Sequence, residues 1–125
     1  MSIKKLFLAL IVVALVGAFA LAGLAGARGK AASKVTIKGD NGDFHGKVFS
    51  ERRRCLGHRK VVVYKQLHDV QKPSDDLKIG SDTTERHADH GVWDLGNSGF
   101  KKGKFYAHVK RTDACKGDFS RTITL

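Results

Sequence analysis

The residues of this chain that could do chemistry fall into three sets: six histidines, two cysteines and several runs of arginine and lysine. The densest histidine set is His87-Ala88-Asp89-His90. Zinc needs three or four converging ligands, and His87, Asp89 and His90 in one hairpin would supply part of such a set. That makes a small extracellular metal-binding protein or enzyme one reading of the hairpin; a polar hairpin tip is the plainer one. His45, His58, His68 and His108 lie on separate segments and read as surface or sheet-face residues. The chain has no H-E-x-x-H helix motif. It also lacks a G-x-S-x-G elbow to present a nucleophile to a base. The expectation is a protein with no catalytic residues, no bound metal and no cofactor.

The chemistry of the two cysteines depends on the compartment, and the first residues speak to that. Lys4 and Lys5 are followed by an almost unbroken apolar run from Leu6 to Ala22, then by Ala25-Gly26-Ala27. A basic start, an apolar middle and a small-residue exit describe a secretory signal peptide, here expected over residues 1–27. Ala18-Phe19-Ala20 and Ala20-Leu21-Ala22 are further permitted cleavage sites. The rival reading is a membrane anchor formed by an uncleaved N-terminal helix, because a span needs about 20 predominantly apolar residues. Cleavage would leave a secreted, extracellular chain with no transmembrane span. In such an oxidising setting an isolated pair of cysteines is most simply a disulfide, Cys55–Cys115. Closing so long a loop is worth about 4 kcal/mol on the chain-entropy estimate, against roughly 5–15 kcal/mol for a whole domain.

The basic residues are clustered. Arg52, Arg53 and Arg54 stand beside Cys55, with Arg59 and Lys60 close behind. Lys101, Lys102 and Lys104 form a second cluster, and Lys110, Arg111 and Lys116 a third, near Cys115. The formal charge is +11, and without Lys4 and Lys5 the remaining 21 basic residues still face only 12 acidic ones. A disulfide would hold the first and third clusters together as one candidate anion-binding patch. Such a patch attracts anionic polymers, and salt weakens the attraction; general solubility charge is the alternative. For an exported chain the natural partners are an anionic cell-surface polymer, phospholipid, extracellular DNA or an extracellular protein.

The elements that must position these residues read as strands. Seven are expected: Val35–Ile37, Phe44–Ser50, Lys60–Gln66, Leu77–Thr84, Gly91–Leu95, Lys104–Arg111 and Arg121–Leu125. Phe44, Gly46 and Val48 alternate with His45, Lys47 and Phe49, and Phe105, Ala107 and Val109 alternate with Tyr106, His108 and Lys110. Gly39-Asp40-Asn41-Gly42 and Gly96-Asn97-Ser98-Gly99 are turn signals. Gly91 is expected at a positive φ in a tight hairpin, and Trp93 at the sandwich centre. Residues 28–33 read as a loose tether, and Leu67–Asp76, with the sole proline Pro73, as a flexible polar loop. The fold class is all-β, a seven-stranded antiparallel sandwich over residues 34–125.

The order Gly46-Lys47-Val48, Arg59-Lys60-Val61-Val62-Val63-Tyr64, Ser81-Asp82-Thr83-Thr84, His90-Gly91-Val92-Trp93 and Gly103-Lys104-Phe105-Tyr106-Ala107-His108-Val109 resembles the carboxypeptidase regulatory-like domains. These share the sandwich of transthyretin. The resemblance spans about residues 44–125, and the cysteine pair makes the chain similar to the small secreted variants. It implies a non-enzymatic accessory module, since fold does not fix activity. The hydroxyisourate-hydrolysing relative of transthyretin ends in Tyr-Arg-Gly-Ser; this chain ends Thr122-Ile123-Thr124-Leu125, which argues against that activity.

Overall fold

Alternating and β-branched runs dominate the chain after residue 33, and the computed structural model, which describes residues 29–125, turns them into two facing antiparallel sheets. The signal segment expected over 1–27 lies outside the described residues. Among the described residues ten strands form: β1 (Lys34–Val35), β2 (Lys38–Asp40), β3 (Asp43–Phe49), β4 (Lys60–Gln66), β5 (Leu77–Thr83), β6 (Glu85–His87), β7 (His90–Asn97), β8 (Lys104–Val109), β9 (Asp118–Phe119) and β10 (Ile123–Thr124). One sheet runs β1-β3-β7-β6 with β2 also on β3; the other runs β10-β8-β4-β5 with β9 also on β8. β1 and β2 are two pieces of one edge, and so are β9 and β10. Lettered along the chain with each edge counted once, the order is A-B-E-D against G-F-C-C′. That is a Greek-key order of an antiparallel sandwich.

The strand count departs from seven for two local reasons. Both edge strands are interrupted, and the segment expected as one strand ending at Thr84 changes sheets there. β5 pairs with β4 in one sheet, whereas β6 pairs with β7 in the other. Thr84, at the crossing, is buried. The first edge breaks at Thr36 because its carbonyl dips under the sheet, where Trp93 Nε1 donates to it at 3.2 Å. Gly46 leaves room for that dip: a Cβ there would fall onto the Thr36 carbonyl oxygen.

The expected alternation sets the core. Phe44 and Val48 of β3 meet Val61 and Val63 of β4 and Phe105, Ala107 and Val109 of β8, with Trp93 fully buried among them. Phe44 and Phe105 pack across the sheets with ring centroids 4.7 Å apart. Each buried Val or Phe among them stabilises the fold by about 1.5–3 kcal/mol. A second, smaller cluster of Val62, Tyr64 and Tyr106 forms on the outer face of β4 and β8.

Three expectations about loops change. The 28–33 segment is tied down from Ala31 onward: Ala31 makes a parallel bridge to Cys115, donating its N–H to Ala114 O and accepting from Lys116 N–H. The polar loop after β4 is cinched by the Asp76 carboxylate, which accepts from Leu67 N–H, Lys72 N–H and Tyr106 Oη. The hairpin before β7 places its positive φ at Ala88 (54°), while Gly91 is absent from the left-handed region. Gly91 is required for close approach instead, since a Cβ would strike the Leu56 carbonyl oxygen. Asn41 and Gly42 do turn with positive φ, as the sequence leads one to expect.

Candidate anion-binding end

The sandwich topology brings five chain segments to one end: residues 29–33, the β3–β4 crossover, the β5–β6 switch, the β6–β7 hairpin and the β8–β9 loop. The crossover contains a short 3-10 turn, Arg53–Cys55. Cys55 is disulfide-bonded to Cys115 of the β8–β9 loop, with Cα atoms 5.7 Å apart. Disulfides persist in oxidising, typically extracellular compartments. No helix among the described residues is long and apolar enough to cross a membrane.

Beneath this end lies Arg59. It was expected among the patch residues, but it is 1% exposed and cannot meet a polymer. Nη1 donates to Ser33 Oγ at 2.8 Å and to Cys55 O at 3.0 Å; Nη2 donates to Lys110 O at 2.8 Å and Lys116 O at 3.0 Å. Those acceptors come from three of the five segments. Its Nε–H has no partner, and none of its four acceptors is a carboxylate. Burial lowers its pKa from the ordinary arginine value. Arg59 is therefore a clamp that fastens the loops through their carbonyls, working beside the disulfide.

The other patch residues stand on what this clamp holds. Arg53, Arg54, Lys60, Lys110, Arg111 and Lys116 are exposed, and Lys110 N–H donates to Lys60 O across neighbouring strands. Arg52 is half-buried, and its Nη1 donates to Ala114 O at 3.0 Å, so it shares in fastening the loops. The first and third basic clusters are thus carried on loops joined by the disulfide and by Arg59. The Lys101, Lys102 and Lys104 cluster lies at the opposite end, around the start of β8.

An open concavity of about 580 Å³ sits between the crossover and the switch, lined by Arg53, Arg54, Gly57, His58, Thr83, Thr84, Glu85 and Arg86. The sequence marks His58 as a surface residue and gives no local signal for Arg86. Arg86 lies more than thirty residues from the arginine triplet, and only the change of sheet at Thr84 brings it near. Four hydrogen bonds lock the two walls together: His58 N–H to Thr84 O, Thr84 N–H to Arg59 O, Arg59 N–H to Thr84 Oγ1, and Thr84 Oγ1 to Leu56 O.

The histidine hairpin forms a different arrangement. His90 Nδ1 lies 3.0 Å from Asp89 Oδ1, a contact that holds the Asp89 carboxyl below the usual range. His87 faces Glu85 at 3.9 Å and stacks toward His90 with centroids 6.5 Å apart. Among the described residues, no three His, Cys, Asp or Glu side chains gather to hold a metal ion. In comparisons with known proteins, no family model, no curated protein and no solved structure matches this chain.

Proposed function

We propose that this chain is an exported, non-enzymatic β-sandwich module that binds an anionic polymer at the cell exterior through its disulfide-tied end. One observation carries the reading. Arg53, Arg54, Lys60, Lys110, Arg111 and Lys116 are exposed on loops fastened from below by Arg59 and Cys55–Cys115. Among the described residues the ion pairs are Lys72–Asp75, His87–Glu85 and His90–Asp89, so none of those six cations makes an ion pair. Unpaired cations on a rigid frame release counterions from a polyanion, and the binding weakens as salt rises. Export itself rests on the apolar N-terminal segment and agrees with the disulfide. The kinship to carboxypeptidase regulatory-like domains rests on motif order alone; an accessory role of that kind fits a module without a catalytic constellation.

The test is retention of the mature chain on an immobilised sulfated polysaccharide, with elution by a salt gradient. The parent should be retained and then released by moderate salt. Replacing Arg53 and Arg54 by Ser should shift elution to lower salt while the melting temperature stays put. Unchanged elution would refute the assignment.

A further inference from the structure

We infer that the concavity between the β3–β4 crossover and β6 is a discrete site for a tetrahedral oxyanion, a phosphate or sulfate ester group, with Arg53, Arg54 and Arg86 as its ligands. The inference rests on the polyanion reading and names the group that reading leaves open. Strand alternation supplies the first argument. On β6, Glu85 and His87 share one face and approach each other at 3.9 Å, so Arg86 takes the opposite face. There its backbone lies against Gly57 of the crossover; a Cβ on Gly57 would be 3.4 Å from the Arg86 Cβ. Arg86 therefore lines the β6 wall of the concavity, and Arg53 and Arg54 line the crossover wall; Glu85 is the single acidic residue lining it.

Charge and rigidity supply the rest. None of the three arginines makes an ion pair among the described residues. Three arginines line one concavity, and positive charge gathered there favours a multiply charged anion. A planar guanidinium fork matches phosphate and sulfate oxygens in pairs. One carboxylate is satisfied by a single fork, whereas three forks suit a tetrahedral group with several oxygens. The hydrogen bonds through Thr84 hold both walls in place before any ligand arrives, which lowers the ordering cost of binding. The lysines and Arg111 around Arg59 then serve as a diffuse surround that guides the polymer chain.

The experiment titrates the folded protein with inorganic phosphate and, separately, with sulfate, at ionic strength held constant with chloride, and follows backbone amide shifts. Saturable shifts should centre on Gly57, His58 and Arg86, with a dissociation constant of about 1–10 mM. Arg86→Ser should weaken binding about tenfold, one charge-assisted contact's worth. Arg86→Lys, which keeps the charge and loses the fork, should fall between. Replacing Lys101, Lys102 and Lys104 by Ser should leave the titration unchanged. A polyphosphate and a sulfated oligosaccharide of equal charge, compared in the same assay, separate the two sources of the group. Linear, non-saturating shifts, or an Arg86→Ser variant that binds like the parent, would overturn the site. Retention on the polysaccharide resin without phosphate saturation removes this site and leaves the polyanion reading standing. Saturation without retention does the reverse.

Discussion

Replacing Arg59 by Lys keeps one positive charge at the position and so separates a structural clamp from a surface cation. The guanidinium uses all four Nη hydrogens, on Ser33 Oγ and the carbonyls of Cys55, Lys110 and Lys116, at 2.8 to 3.0 Å. An ammonium has three hydrogens on one atom and cannot span that spread. At least one buried carbonyl then loses its partner. A hydrogen bond to a charged group is worth about 1.5–3 kcal/mol, and a buried acceptor left bare costs about 1–3 kcal/mol. Relief of some desolvation offsets part of this, so the expected net loss is about 2–3 kcal/mol. For a domain near one hundred residues that lowers the melting temperature by about 10–20 °C. Urea unfolding with the disulfide intact, fitted at constant slope, measures the change directly. Retention on the polysaccharide resin, read well below the melting temperature, should equal the parent's. A stability change within about 0.5 kcal/mol, the usual range for a surface substitution, would refute the clamp. So would lost retention in a variant as stable as the parent.

Further outcomes follow from other residues. Replacing Cys55 and Cys115 by Ser should cost about 4 kcal/mol on the loop-entropy estimate, read by the same unfolding assay; alkylation of the unreduced parent that labels two thiols would contradict the bridge. Gly46→Ala should destabilise by about 3 kcal/mol or more, because its Cβ must displace the Thr36 carbonyl and the Trp93 bond to it; a melting temperature near the parent's would show that this strand can shift. Burial alone would raise the pKa of Asp76, but hydrogen bonds from Leu67, Tyr106 and Lys72 and the charge of His68 outweigh it and hold the carboxyl below its usual value. Its contribution is therefore complete above the unfolded value of about 3.9 and is lost as pH falls through the lower folded value. The melting-temperature gap between parent and Asp76→Asn should be present at neutral pH and close on acidification; a gap independent of pH would contradict this.

Much of the frame was legible because it follows from period. The alternation at Phe44, Gly46 and Val48, and at Phe105, Ala107 and Val109, puts the same residues in the core that the structure buries. Asn41-Gly42 turns because those residues tolerate positive φ. What escaped depends on contacts remote in sequence. Arg59 sits in a basic run and reads as surface; its burial is decided by acceptors as far away as Ser33 and Lys116, which no local window contains. Thr84 looks like the end of one strand, but its hydroxyl bonds to Leu56 and Arg59 pull the chain into the other sheet. That switch created β6 and carried Arg86 to the arginine triplet. Gly91 has the sequence setting of a turn glycine, but its constraint is the Leu56 backbone pressed against it.

The central claim is that one end of the sandwich, and not the net charge of the chain, binds the polyanion. Two triple variants of equal charge test it most directly: Arg53, Arg54 and Arg86 to Ser at the disulfide-tied end, and Lys101, Lys102 and Lys104 to Ser at the other. Each removes three positive charges, and both are compared with the parent for the salt dependence of binding to one sulfated polysaccharide. The first variant should lose affinity, with a salt slope shallower by about two to three counterions, while the second stays close to the parent. Equal losses in the two variants would contradict the claim.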